Sequence, residues 1–161
     1  MRRFETIIRT LASNNVDFVI VGGVAISLHG SAYNTDDFDF CYARTNENLK
    51  RIALALKPLN PRLRGFPGNL PFFWDERTLQ HGTNFTLMTD LGDIDLLGEV
   101  AGIGDYQAVL KESEEINFFD LKIKILSVDG LIQAKRTANR PKDLLVLPEL
   151  EAMREALLEE D

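Results

Sequence analysis

The chain has 161 residues, of which 45% are hydrophobic and 27% charged, and this fits one compact domain with a hydrophobic core. Its formal net charge of −7, from 18 basic and 25 acidic residues, argues against a dedicated binder of duplex DNA. With one cysteine, two histidines and an N-terminus that resembles neither a signal peptide nor a membrane span, we expect no internal disulfide, no cysteine–histidine metal cluster, no membrane contact and a cytoplasmic location.

The first third of the chain predicts four elements in the order helix, strand, helix, strand. Apolar residues recur at helical spacing near the N-terminus, and a short β-branched run follows that is typical of a strand covered on both faces. Gly22-Gly23 predicts a tight turn before a short helix. After a polar loop, aromatic and acidic residues alternate with the period of a strand. The four elements are predicted at residues 3–12, 18–21, 24–28 and 37–42.

The rest of the chain mixes strands and helices. A helix over 46–56, capped by Thr45 or Asn46, precedes a proline-rich and glycine-rich segment over 57–74 that predicts a long irregular loop. Strands are predicted at 85–88, 94–97, 116–119 and 121–125, and helices at 106–112, 128–138 and 141–159, the last as one helix or a pair. This order predicts an α+β, or α/β-like, fold with a small mixed β-sheet flanked by helices. We expect one domain over 1–161 with a C-terminal helical extension over about 127–161.

The end of the 57–74 loop is rich in aromatic residues, namely Phe66, Phe72, Phe73 and Trp74. These side chains fit a hydrophobic cluster beneath the loop. They also fit a wall that stacks on a nucleobase. Both interpretations stay open at the level of sequence.

Two pairs of acidic residues carry the clearest chemical signal. Asp37 and Asp39 are two apart in a predicted strand, so both carboxylates project from one face and favour a hard divalent cation between them. The alternative is a solvated pair on an edge strand. A second pair lies at Asp93, predicted in a turn, and Asp95, predicted within a strand. If that strand lies beside the first one, Asp95 completes a site of three carboxylates, which suits two-metal activation of a hydroxyl.

The Gly22-Gly23 pair precedes a helix whose first N–H groups are suited to phosphate. A purely structural turn explains the pair equally well, and neither a GxxxxGK nor a GxGxxG pattern occurs in the chain.

Together these motifs resemble the nucleotidyltransferase superfamily of the DNA polymerase β type, in particular its minimal bacterial members related to lincosamide-modifying and toxin-type enzymes. The resemblance covers most of residues 18–150. It is carried by Gly22-Gly23, Ala25, His29-Gly30, Thr35, the segments 37–40 and 92–97, and the segment 127–143.

The resemblance implies a role for each motif. Asp37, Asp39 and Asp95 would hold Mg²⁺, or Mn²⁺ in its place, and Asp95 would help to deprotonate an acceptor hydroxyl. The triphosphate would be bound by Gly22, Gly23, Thr35, Lys135 and Lys142. Tyr33 stands where many relatives carry arginine, so an arginine contact is not expected there.

A basic cluster, Lys135, Arg140 and Lys142, lies near the C-terminus. It fits a clamp on the triphosphate that stabilises the leaving pyrophosphate. It also fits helix-end cations that pair with Asp143 and its neighbours. His29 and His81 are not predicted to be catalytic; His29 is expected to make a structural hydrogen bond at a helix end.

The predicted function is Mg²⁺-dependent transfer of a nucleoside monophosphate from a nucleoside triphosphate to a hydroxyl of a small molecule, a tRNA or other RNA, or a protein, with release of pyrophosphate. The alternative is a weakly active or inactive binding module of the same fold, from a toxin–antitoxin or phage-defence pair. A metal-dependent phosphodiesterase is disfavoured because neither histidine lies within the acidic motifs.

Overall fold

The computed structural model describes residues 2–65, 67–68 and 71–160. In these ranges the α-helices are α1 (Arg2–Ser13), α2 (Gly22–Leu28), α3 (Asn46–Leu56), α4 (Glu76–Gln80), α5 (Tyr106–Lys111), α6 (Val128–Ala138) and α7 (Pro141–Glu159). The strands are β1 (Phe18–Val21), β2 (Asp37–Tyr42), β3 (Arg62–Leu63), β4 (Asn84–Thr89), β5 (Gly92–Leu97), β6 (Glu99–Val100), β7 (Gly104–Asp105), β8 (Ser113–Phe118) and β9 (Leu121–Leu126).

Seven strands form one mixed sheet in the order β3-β4-β5-β2-β1-β9-β8, and β6 pairs with β7 separately. β2 is antiparallel to β1 and parallel to β5, which comes from a distant part of the chain. The predicted α+β fold with a mixed sheet and flanking helices is therefore confirmed. Because β2 lies in the middle of the sheet, the alternative of acids on an edge strand is wrong.

A hydrophobic core covers the face of β2 opposite its acids. Phe38 and Phe40 are fully buried, with ring centroids 5.9 Å apart. Phe4 of α1 packs on Phe38 at 6.1 Å, and Phe18 of β1 packs on Phe40 at 5.9 Å. A one-residue slip of β2 would exchange these rings with the carboxylates, so the core fixes which face carries the acids.

Three parts of the sequence prediction need correction. Gly22 and Gly23 form the first turn of α2 instead of a turn that precedes it. The segment 57–74 is not wholly irregular, because it contains a 3₁₀ turn at Lys57–Leu59 and the edge strand β3. The short helix α4 and the β6–β7 pair were not predicted.

The aromatic end of this segment is partly integrated into the fold. The Trp74 indole packs against the core, and its Nε1 donates to the carbonyl oxygen of Ala53 at 2.9 Å. This agrees with the cluster interpretation for Trp74. Phe73 is exposed, and Phe66 lies outside the described residues.

The C-terminal helices follow the prediction closely. The amide of Gly130 donates to Ser127 Oγ at 3.1 Å, so Ser127 caps α6 as predicted. α7 is one helix that continues through Pro148, and it packs on α6. Along the described residues, no helix combines the length and apolar character that a membrane span requires.

Candidate active site

Four carboxylates line up on one face of the central strands. In the parallel register of β2 and β5, Asp37 lies opposite Asp93 and Asp39 lies opposite Asp95. Residues that are two apart in a strand share a face, so all four side chains project from the same side of the sheet. The strand of Asp95 lies beside the strand of Asp37 and Asp39, so the condition set by the sequence for a third acid is met. The prediction that Asp93 lies in a turn is wrong.

The carboxylate of Asp39 lies in an environment that disfavours its negative charge. Its Oδ1 is buried and has no hydrogen-bond partner among the described residues. Burial raises the pKa of Asp39 to about 7, with a further contribution from Asp95, while Lys135 acts in the opposite direction. Burial followed by Asp95 also raises the pKa of Asp37, which Arg64 and then Lys142 partly offset. No ion pair of the described residues includes Asp39.

Arg64 contacts the two acids of β5, and the sequence analysis did not identify it. Its Nη2 donates to Asp95 Oδ1 at 2.9 Å and to the carbonyl oxygen of Leu87 at 3.1 Å. Its Nε lies 3.4 Å from Asp93 Oδ2 but makes no hydrogen bond. Arg64 directly follows β3, whose pairing with β4 brings it to this site. No local pattern in the proline-rich segment indicates that pairing.

The donor set on this face suits a hard divalent cation. Carboxylate oxygens are the ligands that Mg²⁺ and Mn²⁺ prefer, and a cation beside Asp39 would relieve its unpartnered charge. Among the described residues, no group of three or more histidine, cysteine, aspartate or glutamate side chains is arranged around a metal-sized site. In this structure Asp95 is instead paired with Arg64, at 2.9 Å.

The two glycines at the start of α2 are required by close packing. Gly22 has a φ of +67°, and a Cβ there would overlap the carboxylate of Asp39. A Cβ on Gly23 would lie 2.6 Å from Cβ of Thr35. The Thr35 hydroxyl donates to the carbonyl oxygen of Asp37 at 3.2 Å, so it fixes the start of β2. No side chain of the described residues caps α2, so its first N–H groups are available to a ligand.

Replacing Gly22 by alanine is expected to lower the free energy of unfolding by at least about 1–2 kcal/mol, since the left-handed conformation is unfavourable for alanine. The overlap with Asp39 adds to this cost and displaces the carboxylate. Gly30→Ala is the matched control, because Gly30 has a φ of +105° and a Cβ there meets no atom within 4 Å. Chemical denaturation should show a larger loss for Gly22→Ala. Equal losses would contradict the close packing of Gly22 on Asp39.

The predicted basic cluster divides into two parts. Lys135 Nζ and Arg140 Nε bind the buried carboxylate of Asp143 at 3.0 and 2.7 Å. Burial by itself raises the pKa of Asp143, but the hydrogen bonds from Arg140 and Lys135 outweigh it and hold the pKa at about 2. The predicted pairing with Asp143 is therefore present for both residues. Lys142 is exposed at the start of α7.

A cavity of about 250 Å³ opens beside Asp39 between the sheet and α6. Apolar side chains from both elements line it, including Leu97 and Leu131. The Lys135–Arg140–Asp143 group lines it as well. Asp39 thus borders a space lined by both hydrophobic and charged side chains.

His29 has a structural role, as predicted. Its Nε2 donates to the carbonyl oxygen of Leu126 at 2.8 Å, and Nδ1 lies 3.7 Å from Glu114. This contact ties the end of α2 to the end of β9.

The comparisons with known proteins identify the fold. No family model and no curated protein matches the sequence. TM1012 of Thermotoga maritima, described as a candidate nucleotidyltransferase, aligns with a TM-score of 0.54 and 16% identity over 98% of this chain and 92% of that chain. The antibiotic-resistance factor ANT(2'')-Ia aligns with a TM-score of 0.53 and 15% identity over 99% and 94%, respectively. The chain therefore has a nucleotidyltransferase-like fold.

Proposed function

We propose that this protein is a metal-dependent nucleotidyltransferase that transfers a nucleoside monophosphate from a nucleoside triphosphate to a hydroxyl. The observation that carries the proposal is the in-register alignment of Asp37–Asp93 and Asp39–Asp95 on one face, with Asp39 Oδ1 buried and unpartnered. An uncompensated carboxylate in the middle of a sheet lowers stability, so a role in binding a cationic ligand accounts for its presence.

In this proposal Asp37, Asp39 and Asp95 hold Mg²⁺ or Mn²⁺. The bound ion supplies charge neutralisation for the triphosphate and makes the acceptor hydroxyl more acidic. Asp95 accepts the proton of that hydroxyl. The new bond joins the acceptor oxygen to the α-phosphorus, and the bond from the α-phosphorus to the bridging oxygen breaks, so pyrophosphate leaves with that oxygen.

The phosphate groups are assigned to the region around the start of α2. The uncapped N–H groups near Gly22 and Gly23 donate to phosphate oxygens, and Thr35 keeps this turn against β2. Lys142 is exposed and its charge lowers the pKa of Asp37, which supports a role for Lys142 in binding phosphate near the same region. Lys135 contributes positive charge toward Asp39 while it remains bound to Asp143. Both lysines stabilise the charge that develops on the leaving pyrophosphate.

The acceptor is a hydroxyl of a small molecule, a tRNA or other RNA, or a protein. One of the similar structures is an antibiotic-resistance factor, which makes small molecules the first acceptors to test. The cavity beside Asp39 is lined by both hydrophobic and charged side chains, which suits a small amphipathic ligand. Neither the geometry nor the comparisons favour the alternative of a binding module from a toxin–antitoxin or phage-defence pair.

Replacing Asp37 by asparagine should reduce transfer by about 10²–10³-fold, since a catalytic metal contributes several kcal/mol of transition-state stabilisation. The measurement incubates the protein with each α-³²P-labelled triphosphate, Mg²⁺ or Mn²⁺, and panels of small molecules, RNA and proteins. Asp36→Asn is the matched control, because the neighbouring Asp36 is exposed and contacts only Arg3, at 3.6 Å, among the ion pairs of the described residues. Transfer that survives Asp37→Asn, or equal loss in both variants, would contradict the proposal.

A further inference from the structure

Two buried side-chain atoms of the described residues have no hydrogen-bond partner, and both belong to the acidic face. They are Asp39 Oδ1 and Arg64 Nε. Buried polar groups are otherwise almost always paired, so two such atoms in one cluster indicate an arrangement that is completed by something else. The acid lacks a cation, and the guanidinium lacks an acceptor for one of its donors.

The position of Arg64 explains why its guanidinium does not neutralise Asp39. Its guanidinium is bound to Asp95 at 2.9 Å and lies near Asp93 at 3.4 Å, while no ion pair of the described residues joins it to Asp39. Asp39 and Asp95 face each other across β2 and β5, and the charge of Asp95 disfavours the charge of Asp39. Arg64 therefore pairs with the acids of β5, whereas no ion pair of the described residues includes an acid of β2.

We propose that Arg64 is an internal counter-cation that neutralises Asp95 in the free protein and is displaced from it when a divalent cation binds. This inference rests on the proposed function, because it concerns the same three carboxylates. Asp39 and Asp95 would hold the divalent ion, and its charge would satisfy the unpartnered oxygen of Asp39. It also takes over the neutralising role of Arg64, whose guanidinium then pairs with Asp93 or with solvent.

The local backbone allows such a displacement at small cost. Among the described strands, the two-residue edge strand before Arg64 pairs with β4 alone, and the amide of Arg64 donates to the carbonyl oxygen of Thr86 at 2.9 Å. Its side chain is about one-third exposed, so the guanidinium can turn outward without opening the core. Its hydrogen bond to Asp95 is charge-assisted, and binding of the metal must offset the loss of that bond.

The prediction is that Arg64→Gln binds Mn²⁺ about tenfold more tightly than the wild-type protein, since the metal no longer has to break a charge-assisted hydrogen bond. Mn²⁺ binding is measured without nucleotide, from the loss of the free-ion electron paramagnetic resonance signal. The rise in the thermal unfolding midpoint on adding Mn²⁺ should also be larger in Arg64→Gln. These readouts are independent of catalytic turnover.

Arg62→Gln is the matched control. It removes the same charge two residues earlier, within the edge strand that Arg64 follows, but Arg62 is paired with Asp90, at 3.7 Å. Its Mn²⁺ affinity should stay within about twofold of wild type, as expected for an exposed pair. If Arg64→Gln does not fold, Arg64→Lys carries the test, because lysine keeps the charge without the forked geometry and should give an intermediate affinity.

Asp39→Asn separates the inference from the proposed function. Mn²⁺ binding that is lost in Asp39→Asn and unchanged or weaker in Arg64→Gln would overturn the role of Arg64 and leave the metal site intact. Absence of Mn²⁺ binding in both the wild type and Arg64→Gln would overturn the metal site together with the inference. Binding that appears or tightens on Arg64→Gln, and not on Arg62→Gln, supports it.

Discussion

Asp39→Asn is expected to stabilise the metal-free protein by about 1–3 kcal/mol and to abolish metal-dependent nucleotide binding. The gain in stability arises because Asp39 Oδ1 is buried without a partner and faces Asp95 across the strand pair. An amide of the same shape carries no charge, and its NH₂ group donates to Asp95. The loss of binding follows because an uncharged ligand replaces a proposed metal-binding carboxylate whose Oδ1 is buried.

Asp39→Asn is expected to raise stability and to abolish nucleotide binding, and this combination distinguishes a functional acid from a structural one. Urea denaturation in the presence of a chelator measures the first, and calorimetric titration with Mg²⁺ and a nonhydrolysable triphosphate measures the second. Asp36→Asn should leave both quantities near those of the wild type, since Asp36 is exposed. A destabilised Asp39→Asn variant that still binds nucleotide with metal would refute the interpretation of Asp39 as a ligand.

Asp143→Asn is expected to cause the largest loss of stability, about 3–5 kcal/mol, because it breaks a buried ionic cluster by removing its central partner. The Asp143 side chain is fully buried between α6 and α7 and binds Lys135 and Arg140. It also accepts from the amide of Arg140 at 3.1 Å, so it caps the start of α7. Asp129→Asn is the control, because Asp129 is exposed and its ion pair with Arg154 is long, at 3.9 Å. Equal losses in the two variants would contradict the cluster.

The lowered pKa of Asp143 predicts that the free energy of unfolding depends on pH. Because the folded-state pKa of Asp143 is about 2, below the ordinary value of about 4, the folded protein binds fewer protons than the unfolded chain between these values. Its contribution to the free energy of unfolding is therefore complete above about pH 4 and is lost as the pH falls toward 2. The wild type should lose more stability over this interval than Asp143→Asn, as measured by urea denaturation at each pH.

The sequence was sufficient where local periodicity determines the outcome. Asp37 and Asp39 alternate with Phe38 and Phe40, so the strand and its two faces follow from the side-chain pattern alone. Asp95 could be placed only conditionally, because its role depends on the parallel pairing of β2 with β5, which no local signal encodes. Asp93 was misplaced because the hairpin turn is shorter than expected: Thr89 pairs with Gly92, and the strand resumes at once.

Arg64 and the burial of Asp143 show why the rest of the site could not be predicted. Arg64 reaches Asp95 through the pairing of β3 with β4, within a segment whose prolines and glycines predict a loop. The sequence offered the pairing of Asp143 with nearby cations only as one of two interpretations of the basic cluster, because its burial between them depends on the packing of α6 on α7. Gly22 was interpreted as a turn residue, whereas its absent Cβ makes room for Asp39. Each of these contacts joins residues that are distant in sequence or depends on a side chain that only the fold brings close.

The central claim is that the carboxylates of β2 and β5 bind a metal–triphosphate complex. The most direct test is calorimetric titration of the wild-type protein with nonhydrolysable analogues of each nucleoside triphosphate, with Mg²⁺ and again with a chelator. The account predicts binding of at least one analogue that requires the metal and disappears in Asp39→Asn. No binding of any analogue with Mg²⁺ or Mn²⁺, or binding that is the same with the chelator and in Asp39→Asn, would contradict it.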